Sequence, residues 1–287
     1  MKKIFSLLAL SLALSLPAEE KAPIQFSRPI APGSQFDCDI SASSSRDFSM
    51  SMPGVDTPLK KFESSTAILS GRMTVLEVNA AGNSTKMKFQ IKSFDGSIDH
   101  VRPDLAGFKG RTIIADLNPP VCRFVFEDFP QEMLSKDSVR LLSSIFRPSM
   151  NAGMNELLGT SQAVGPGSSW RPPMDLLLEQ LRKRGMKFNE SDFEGAVSIK
   201  GRETFNGVEC WRIEESLRSI NLAGFDLRLD ISLLLPCDPK QGGARKISRA
   251  GLEFVAKDMP ESNPLSAGKR VEATVKDSMD ATILPVR

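Results

Sequence analysis

The stretch GRETFNGVECWRIEES, residues 201–216, contains the signals that decide the fold. Asn206 and Gly207 predict a two-residue hairpin turn, because this pair tolerates the positive φ angles that such turns need. In the run that follows, Trp211 and Ile213 alternate with charged residues, which is the two-residue period of a strand with one buried face. We therefore expect an antiparallel hairpin whose Trp211 side joins a hydrophobic core, with Trp211 as a core residue rather than a ligand contact.

The same two-residue period continues on both sides of this hairpin and is interrupted in the middle of the chain. Strand signals occupy residues 35–129 and return in residues 191–287, whereas residues 130–190 have apolar side chains at helical spacing and a Gly/Pro-rich connector. Strands, then helices, then strands predict an α+β protein: antiparallel β-rich sheet, with a half-barrel as one form, and the mid-chain helices packed on it. The sequence leaves open whether the two strand-rich parts form one sheet or two domains.

Alternating apolar residues give this sheet an expected apolar face. The candidates for that face are Phe89 and Ile91 in the first strand-rich part, and Trp211, Ile213 and Leu233 in the second. Side chains of this kind, covered by helices, form the type of concave apolar surface in which ligands bind.

The first residues have the layout of a secretory signal peptide. Basic residues precede an apolar run, residues 4–16, and the small residue Ala18 follows it. The run is shorter than the ~20 residues that a membrane-spanning helix needs, which disfavours the alternative of an uncleaved anchor. We interpret residues 1–18 as a signal peptide and residues 19–34 as a flexible lead-in. We therefore expect a periplasmic or secreted protein with no transmembrane anchor after cleavage.

The charge balance argues against a nucleic-acid partner. The whole chain has 37 basic and 35 acidic residues. Because Lys2 and Lys3 lie in the predicted signal peptide and no acidic residue does, the two signs balance once that segment is removed. A balanced chain gives no indication of the basic face that binding to a phosphate backbone usually needs.

Four cysteines follow the predicted signal peptide: Cys38, Cys122, Cys210 and Cys237. An even number in an exported protein indicates disulfides, and four cysteines allow three pairings. We favour Cys210–Cys237 together with Cys38–Cys122. Cys210 lies on the strand face opposite to Trp211, whereas Cys237 continues the apolar row of the next strand, so the first pairing needs a β-bulge. The chain has no C-x-x-C spacing, and a zinc site is not indicated.

Sequence motifs for catalysis are scarce. His100 is the only histidine, so a Ser-His-Asp or Cys-His site would have to use it. The chain lacks a G-x-S-x-G nucleophile elbow, an H-E-x-x-H zinc motif and a glycine-rich phosphate loop. We therefore predict no catalytic residue, no metal site and no cofactor, and we lean away from an enzyme. A hydrolase that uses His100 or a pair of carboxylates remains an alternative.

The connector GTSQAVGPGSSW and the hairpin of residues 201–216 resemble segments of uncharacterised secreted bacterial β-rich proteins. The matching positions cover a small part of the chain, in a V-x-x-G-x-S-W connector and a G-x-E-x-x-x-G hairpin: Val164, Gly167, Ser169, Trp170, Gly201, Glu203 and Gly207. More distantly, long strands with covering helices are similar to the half-barrels of periplasmic lipoprotein carriers, whose concave face holds acyl chains. This chain has no lipobox cysteine after the apolar run.

Two main functional hypotheses follow from these observations. The first is an exported, non-catalytic binding or carrier protein of the cell envelope, whose partner is an apolar small molecule or lipid bound between sheet and helices. The second is a structural or interaction protein that binds another envelope protein, which predicts an exposed apolar patch or edge strand.

Overall fold

The computed structural model describes most of the chain after residue 23. The described residues are 24, 26, 30–51, 57–118, 121–148, 158–160, 162–175, 178–179, 189–220, 225–241, 245–256 and 270–286. The predicted signal peptide, much of the lead-in and part of the predicted helical middle lie outside these residues.

The described residues form eleven β-strands and helix α1, in an order that follows the predicted succession of strands, helix and strands. The first part contains β1 Gln35–Ser51, β2 Leu59–Val78, β3 Ser84–Ile98, β4 Thr112–Asp116, β5 Arg123–Phe126 and α1 Lys136–Ile145. The second part contains β6 Ser169–Trp170, β7 Phe193–Phe205, β8 Val208–Ser219, β9 Phe225–Pro236, β10 Lys246–Ala256 and β11 Arg270–Pro285. Short 3-10 turns occupy Ala106–Phe108 and Glu190–Asp192.

All eleven strands belong to one antiparallel sheet in the order β5-β4-β3-β2-β1-β11-β10-β9-β8-β7-β6. Each part of the chain forms its own meander, and the two meanders join where β1 pairs with β11, from Phe36 opposite Pro285 to Ser51 opposite Arg270. The two strand-rich parts therefore contribute to a single open sheet. With α1 packed on it, the fold is of the α+β class.

The hairpin between β7 and β8 has the predicted turn. Asn206 and Gly207 have φ angles of 49° and 75°, and Phe205 pairs with Val208 directly beside them. Trp211 and Ile213 are buried on one side of β8, while Arg212 is exposed on the other. The alternation in residues 201–216 thus determines which side of the second half of the sheet is buried.

The first meander packs its apolar side under α1. The N-cap of α1 is Ser135, whose Oγ accepts a hydrogen bond from the backbone N–H of Ser138 at 3.1 Å. Leu141 and Leu142 are fully buried against the sheet, in a cluster that includes Phe89. Burying a side chain of this size stabilises the fold by about 1.5–3 kcal/mol.

Short segments that precede β6 and β7 cover the second meander. One cluster joins Trp211 and Ile213 to Leu158 and also to Ile24 and Phe26. These last two residues belong to the segment that we interpreted as a flexible lead-in, but both are buried. A smaller neighbouring cluster consists of Met174, Leu178, Phe193, Leu217 and Leu227.

One glycine allows α1 to lie close to the sheet. A Cβ atom added to Gly96 of β3 would lie 2.5 Å from the carbonyl oxygen of Thr66 and 3.0 Å from a methyl carbon of Leu141. The first of these contacts is to backbone on the paired strand, which cannot rotate away. A side chain at this position would push α1 from the sheet or separate β2 from β3.

We predict that Gly96→Ala lowers the free energy of unfolding by about 1–3 kcal/mol, as overpacking does in a close-packed core. Urea unfolding followed by circular dichroism measures this change. Gly107→Ala is the matched control, because a Cβ there meets no atom within 4 Å. A Gly96→Ala protein as stable as the control would contradict this role of Gly96.

Candidate ligand-binding surface

The two sides of the sheet differ in chemistry. We call the side that carries Phe89 and Ile213 the apolar face, and the side that carries Asp39 and Ser70 the polar face. On the polar face, hydroxyl groups bond across strands, as in Ser43 with Ser278 at 2.7 Å between their Oγ atoms. The apolar face is the side on which α1 and the segments before β7 pack.

The five predicted apolar-face residues all lie on the apolar face, but in two separate clusters. Phe89 and Ile91 are in the first cluster, whereas Trp211, Ile213 and Leu233 are in the second. Each is at most 6% exposed, because other protein atoms already cover it. These residues therefore form packed walls, and a ligand would have to contact the surface between them.

That surface lies on the central strands, where β1 pairs with β11. Register places one apolar residue per strand in a continuous row across the sheet: Leu69, Ile40, Ala281, Ile247, Leu233, Ile213 and Ile199. Both ends of the row are buried, but Ile40 and Ile247, which flank the buried Ala281, are only half-buried. We call five half-buried apolar residues of β1, β9, β10 and β11 the central strip: Ile40, Ile231, Ile247, Val275 and Met279.

The hollows on the opposite side of the sheet are lined by polar side chains together with apolar groups, such as the exposed Ile68. Three of them follow one another across the polar face, with volumes of about 540, 400 and 730 Å³. The first two share Asp39 and Ser70, and the last two share Ser248. Charges in these hollows tend to be paired, as in Arg72 Nε with Asp37 Oδ1 at 3.0 Å. Because the polar face carries short hydroxyl side chains and paired charges, it has no excess of one sign of charge that could select a ligand.

Glu215 is a buried acid on the apolar face. It follows Trp211 and Ile213 in the inward row of β8 and lies between Val197 and Ile231 of the neighbouring strands. The residue is 6% exposed, and its Oε2 has no hydrogen-bond partner in the described structure. Burial raises the pKa of Glu215 to about 7, because the charged form loses its hydration. The sequence contained the signal for this residue, an acid in an otherwise apolar row, but our sequence analysis did not identify it.

The structure contains all four cysteines as thiols, so neither of the favoured disulfide pairings is present. In the register of β8 and β9, Cys210 lies opposite Pro236 without any shift, and the bulge that a Cys210–Cys237 bond needs is missing. Cys237 packs against the cluster of Trp211, on the other side of the sheet. The two thiols thus belong to neighbouring strands but to opposite faces.

The two thiols of the first meander, the buried Cys38 and the half-buried Cys122, are poor nucleophiles. Burial raises the pKa of Cys38 to about 12 and also raises the pKa of Cys122. Their Sγ atoms donate weak hydrogen bonds to the carbonyl oxygens of Phe36 and Phe146, respectively. Because the thiolate is the reactive form, neither residue has the environment of an activated cysteine.

His100 lies at the tip of a tight turn between β3 and the segment that follows it. Asp99 and His100 both have positive φ angles, and Ile98 and Val101 exchange two backbone hydrogen bonds of 2.8 Å around them. The carboxylate of Asp99 accepts a hydrogen bond from the backbone N–H of Ser64 at 2.6 Å. Asp99 thereby holds the turn against β2. His100, at the tip of the turn, is exposed.

The described part of the chain contains no group of three or more His, Cys, Asp or Glu side chains that could hold a metal ion. Within the same residues, no helix has both the length and the apolar character to cross a bilayer.

Comparison with known proteins gives distant structural neighbours. No protein-family model matches the chain, and no curated protein matches its sequence. A structure of the lipid–protein interactions in lipovitellin is 7% identical, over 90% of this chain and 25% of that chain, with a TM-score of 0.33. A LolA superfamily protein from Nitrosomonas europaea is 8% identical over 86% of both chains, with a TM-score of 0.12. This chain therefore spans about a quarter of the lipovitellin chain.

We predict that Glu215 makes the protein less stable as the pH rises. The folded state keeps the proton up to about pH 7, whereas the unfolded state releases it near 4.5, so the free energy of unfolding falls between these values. Glu215→Gln cannot ionise. Its stability should be similar to that of the wild type near pH 4.5 and should exceed it by roughly 3 kcal/mol at pH 8.

Urea unfolding of both proteins at the two pH values measures this difference. Glu214→Gln is the control, since Glu214 points to the polar face, where it pairs with Arg212 at 3.2 Å. The same stability difference between wild type and Glu215→Gln at both pH values would show that the buried carboxylate does not titrate in this range.

Proposed function

We propose that this protein is an exported, non-catalytic carrier that binds an apolar, chain-like ligand on the central strip. The observation that carries the proposal is the interruption of the apolar face. Two packed clusters flank the strip, and its side chains are only half-buried between them. A bound acyl chain would complete the burial of this surface.

The dimensions of the strip suit such a ligand. Ile40, Val275, Ile247 and Ile231 lie on four successive strands, β1, β11, β10 and β9. Neighbouring strands are about 4.8 Å apart, so the strip is roughly 15 Å wide. This width accommodates extended hydrocarbon chains lying side by side. Burying them gains about 0.8 kcal/mol for each methylene group.

The chemistry of the strip supports binding rather than catalysis. Its members are aliphatic side chains and a methionine, which adapts its shape to an apolar ligand. His100, the residue that a histidine-dependent hydrolase would use, is exposed in a turn beyond the end of β3. The proposed place of action, the periplasm or the exterior, rests on the signal peptide predicted from residues 1–18.

A second candidate function, an interaction protein of the envelope, is favoured by the edge of the first meander. Strand β5 ends the sheet there, and exposed apolar side chains surround it: Val121, Val125, Phe129 and Met133. Edge strands with exposed apolar residues are typical sites of strand pairing with a partner. Envelope protein binding at β5 would be compatible with a ligand on the central strip, because the two surfaces are separated by β2, β3 and β4.

We predict that the protein binds 1-N-phenylnaphthylamine, a neutral apolar fluorophore, and that Val275→Gln weakens this binding about tenfold. The substitution replaces apolar contact by an amide that must be desolvated. Fluorescence titration of the delipidated protein measures the dissociation constants.

The matched control is Thr274→Gln, which places the same amide on the polar face of the same strand. Thr274 is also half-buried, so the two variants face comparable constraints on folding. Equal affinities of the two variants, or no saturable binding by the wild type, would refute a ligand on the central strip.

A further inference from the structure

Beside the central strip lies a hollow of different chemistry. It has a volume of about 390 Å³ and lies between α1 and the strands β1 and β2. We call it the arginine pocket, because Arg46, Arg140 and Arg147 line it. The other lining residues are Glu63 and four serines: Ser44, Ser65, Ser143 and Ser144. Because α1 packs on the apolar face, the arginine pocket opens on the same side of the sheet as the strip.

The register joins the pocket to the strip. Arg46 of β1 lies directly opposite Val275 of β11, which belongs to the central strip. Directly opposed side chains of antiparallel strands have Cβ atoms about 5 Å apart. A ligand chain on the strip would therefore bring the group at its end next to the guanidinium of Arg46.

The arginines of the pocket have donors left for a ligand. Arg140 lies 3.8 Å from Glu63 and 3.7 Å from Asp99, and Arg147 lies 3.3 Å from Asp277. These nitrogen–oxygen distances exceed the 2.7–2.9 Å of a charge-assisted hydrogen bond. Arg46 has no ion pair within 4.0 Å among the described residues. Each guanidinium carries five N–H donors. Among the described residues, Arg140 donates one hydrogen bond to the carbonyl oxygen of Ser64 at 3.4 Å and Arg147 donates one to Asp277, so further donors remain for a ligand.

The pocket has a small excess of positive charge. Its surroundings contain four cations and three carboxylates: Lys61, Arg46, Arg140 and Arg147, against Glu63, Asp99 and Asp277. Lys61, Arg140 and Arg46 together lower the pKa of Glu63, which therefore stays ionised. Arg46 lies directly opposite Glu63 in the pairing of β1 with β2, but among the described residues it forms no ion pair within 4.0 Å.

Hydroxyl groups complete the lining. Ser65 is 5% exposed. Ser144 donates to the carbonyl oxygen of Leu141 at 2.7 Å, and Ser44 lies directly opposite Ser65. Serine hydroxyls and guanidinium groups around one hollow are the donors that carboxylate and phosphate oxygens require.

We propose that the arginine pocket binds the oxyanion head group, a carboxylate or phosphate, of the ligand whose hydrocarbon chain lies on the central strip. This inference rests on the proposed carrier function. It narrows the ligand from an apolar molecule to an amphipathic acid, with Arg46 as the residue that selects the charged head.

The test compares two probes with the same chain, dodecanoate and dodecanol, by isothermal titration calorimetry on the delipidated full chain. We expect dodecanoate to bind at least tenfold more tightly. Arg46→Gln should reduce the affinity for dodecanoate about tenfold, through the loss of one charged contact, and leave dodecanol unchanged. Added sodium chloride should weaken the binding of dodecanoate but not that of dodecanol, because salt screens exposed charges.

Arg72→Gln is the matched control, since Arg72 is an exposed arginine on the polar face. It should bind both probes as the wild type does. If dodecanoate and dodecanol bind with equal affinity, and Arg46→Gln changes neither affinity, the arginine pocket does not bind a head group. The proposed carrier function would remain intact. Failure to bind either probe would overturn the carrier function itself.

Inorganic phosphate distinguishes a head group from a free anion. If phosphate alone binds as tightly as dodecanoate, the pocket serves a free anion and the head-group proposal is refuted. If phosphate binds weakly and dodecanoate displaces it, the proposal is supported, because the hydrocarbon chain of dodecanoate then supplies the remaining affinity.

Discussion

The pairing of β1 with β11 is the constraint on which the rest of the structure depends. Without these backbone hydrogen bonds, the chain would form two separate meanders, each with its own apolar side. The pairing aligns the two apolar sides into one face, in which the half-buried central strip lies between the two packed clusters. It also sets Arg46 beside Val275, so that a charged and an apolar surface meet at the middle of the sheet.

Local sequence patterns were sufficient to predict the strands, but not their assembly. The turn at Asn206 and Gly207 and the burial of Trp211 follow from residue types within a few positions of each other, which is why both were predictable. The pairing of Ser43 with Ser278 joins distant parts of the chain and has no local signal. Sequence analysis therefore could not decide between one sheet and two domains.

The sequence indicated which residues would face one apolar side of the sheet, but not which part of that side would stay accessible to a ligand. Alternation made Phe89, Ile213 and Leu233 candidates for the apolar face, but the accessibility of each residue depends on the segments that cover it, and all three are buried. The same limit applies to the disulfides: sequence placed Cys210 and Cys237 on opposite faces, and the bulge needed to bond them is a property of the register. Arg46 was not identified, because its neighbours come from β2, β11 and α1.

The central pair also has a kinetic consequence. Strand β1 pairs with its sequence neighbour β2 on one edge, whereas its other edge must wait for β11, far along the chain. Closing so long a loop is slow, because the chain between the two strands loses conformational entropy before the stabilising contacts form. Until then each meander exposes an unpaired edge, the state in which sheets aggregate. Folding of this protein should thus be limited by the docking of two preformed half-sheets, and a chaperone that shields their edges would have most effect at that step.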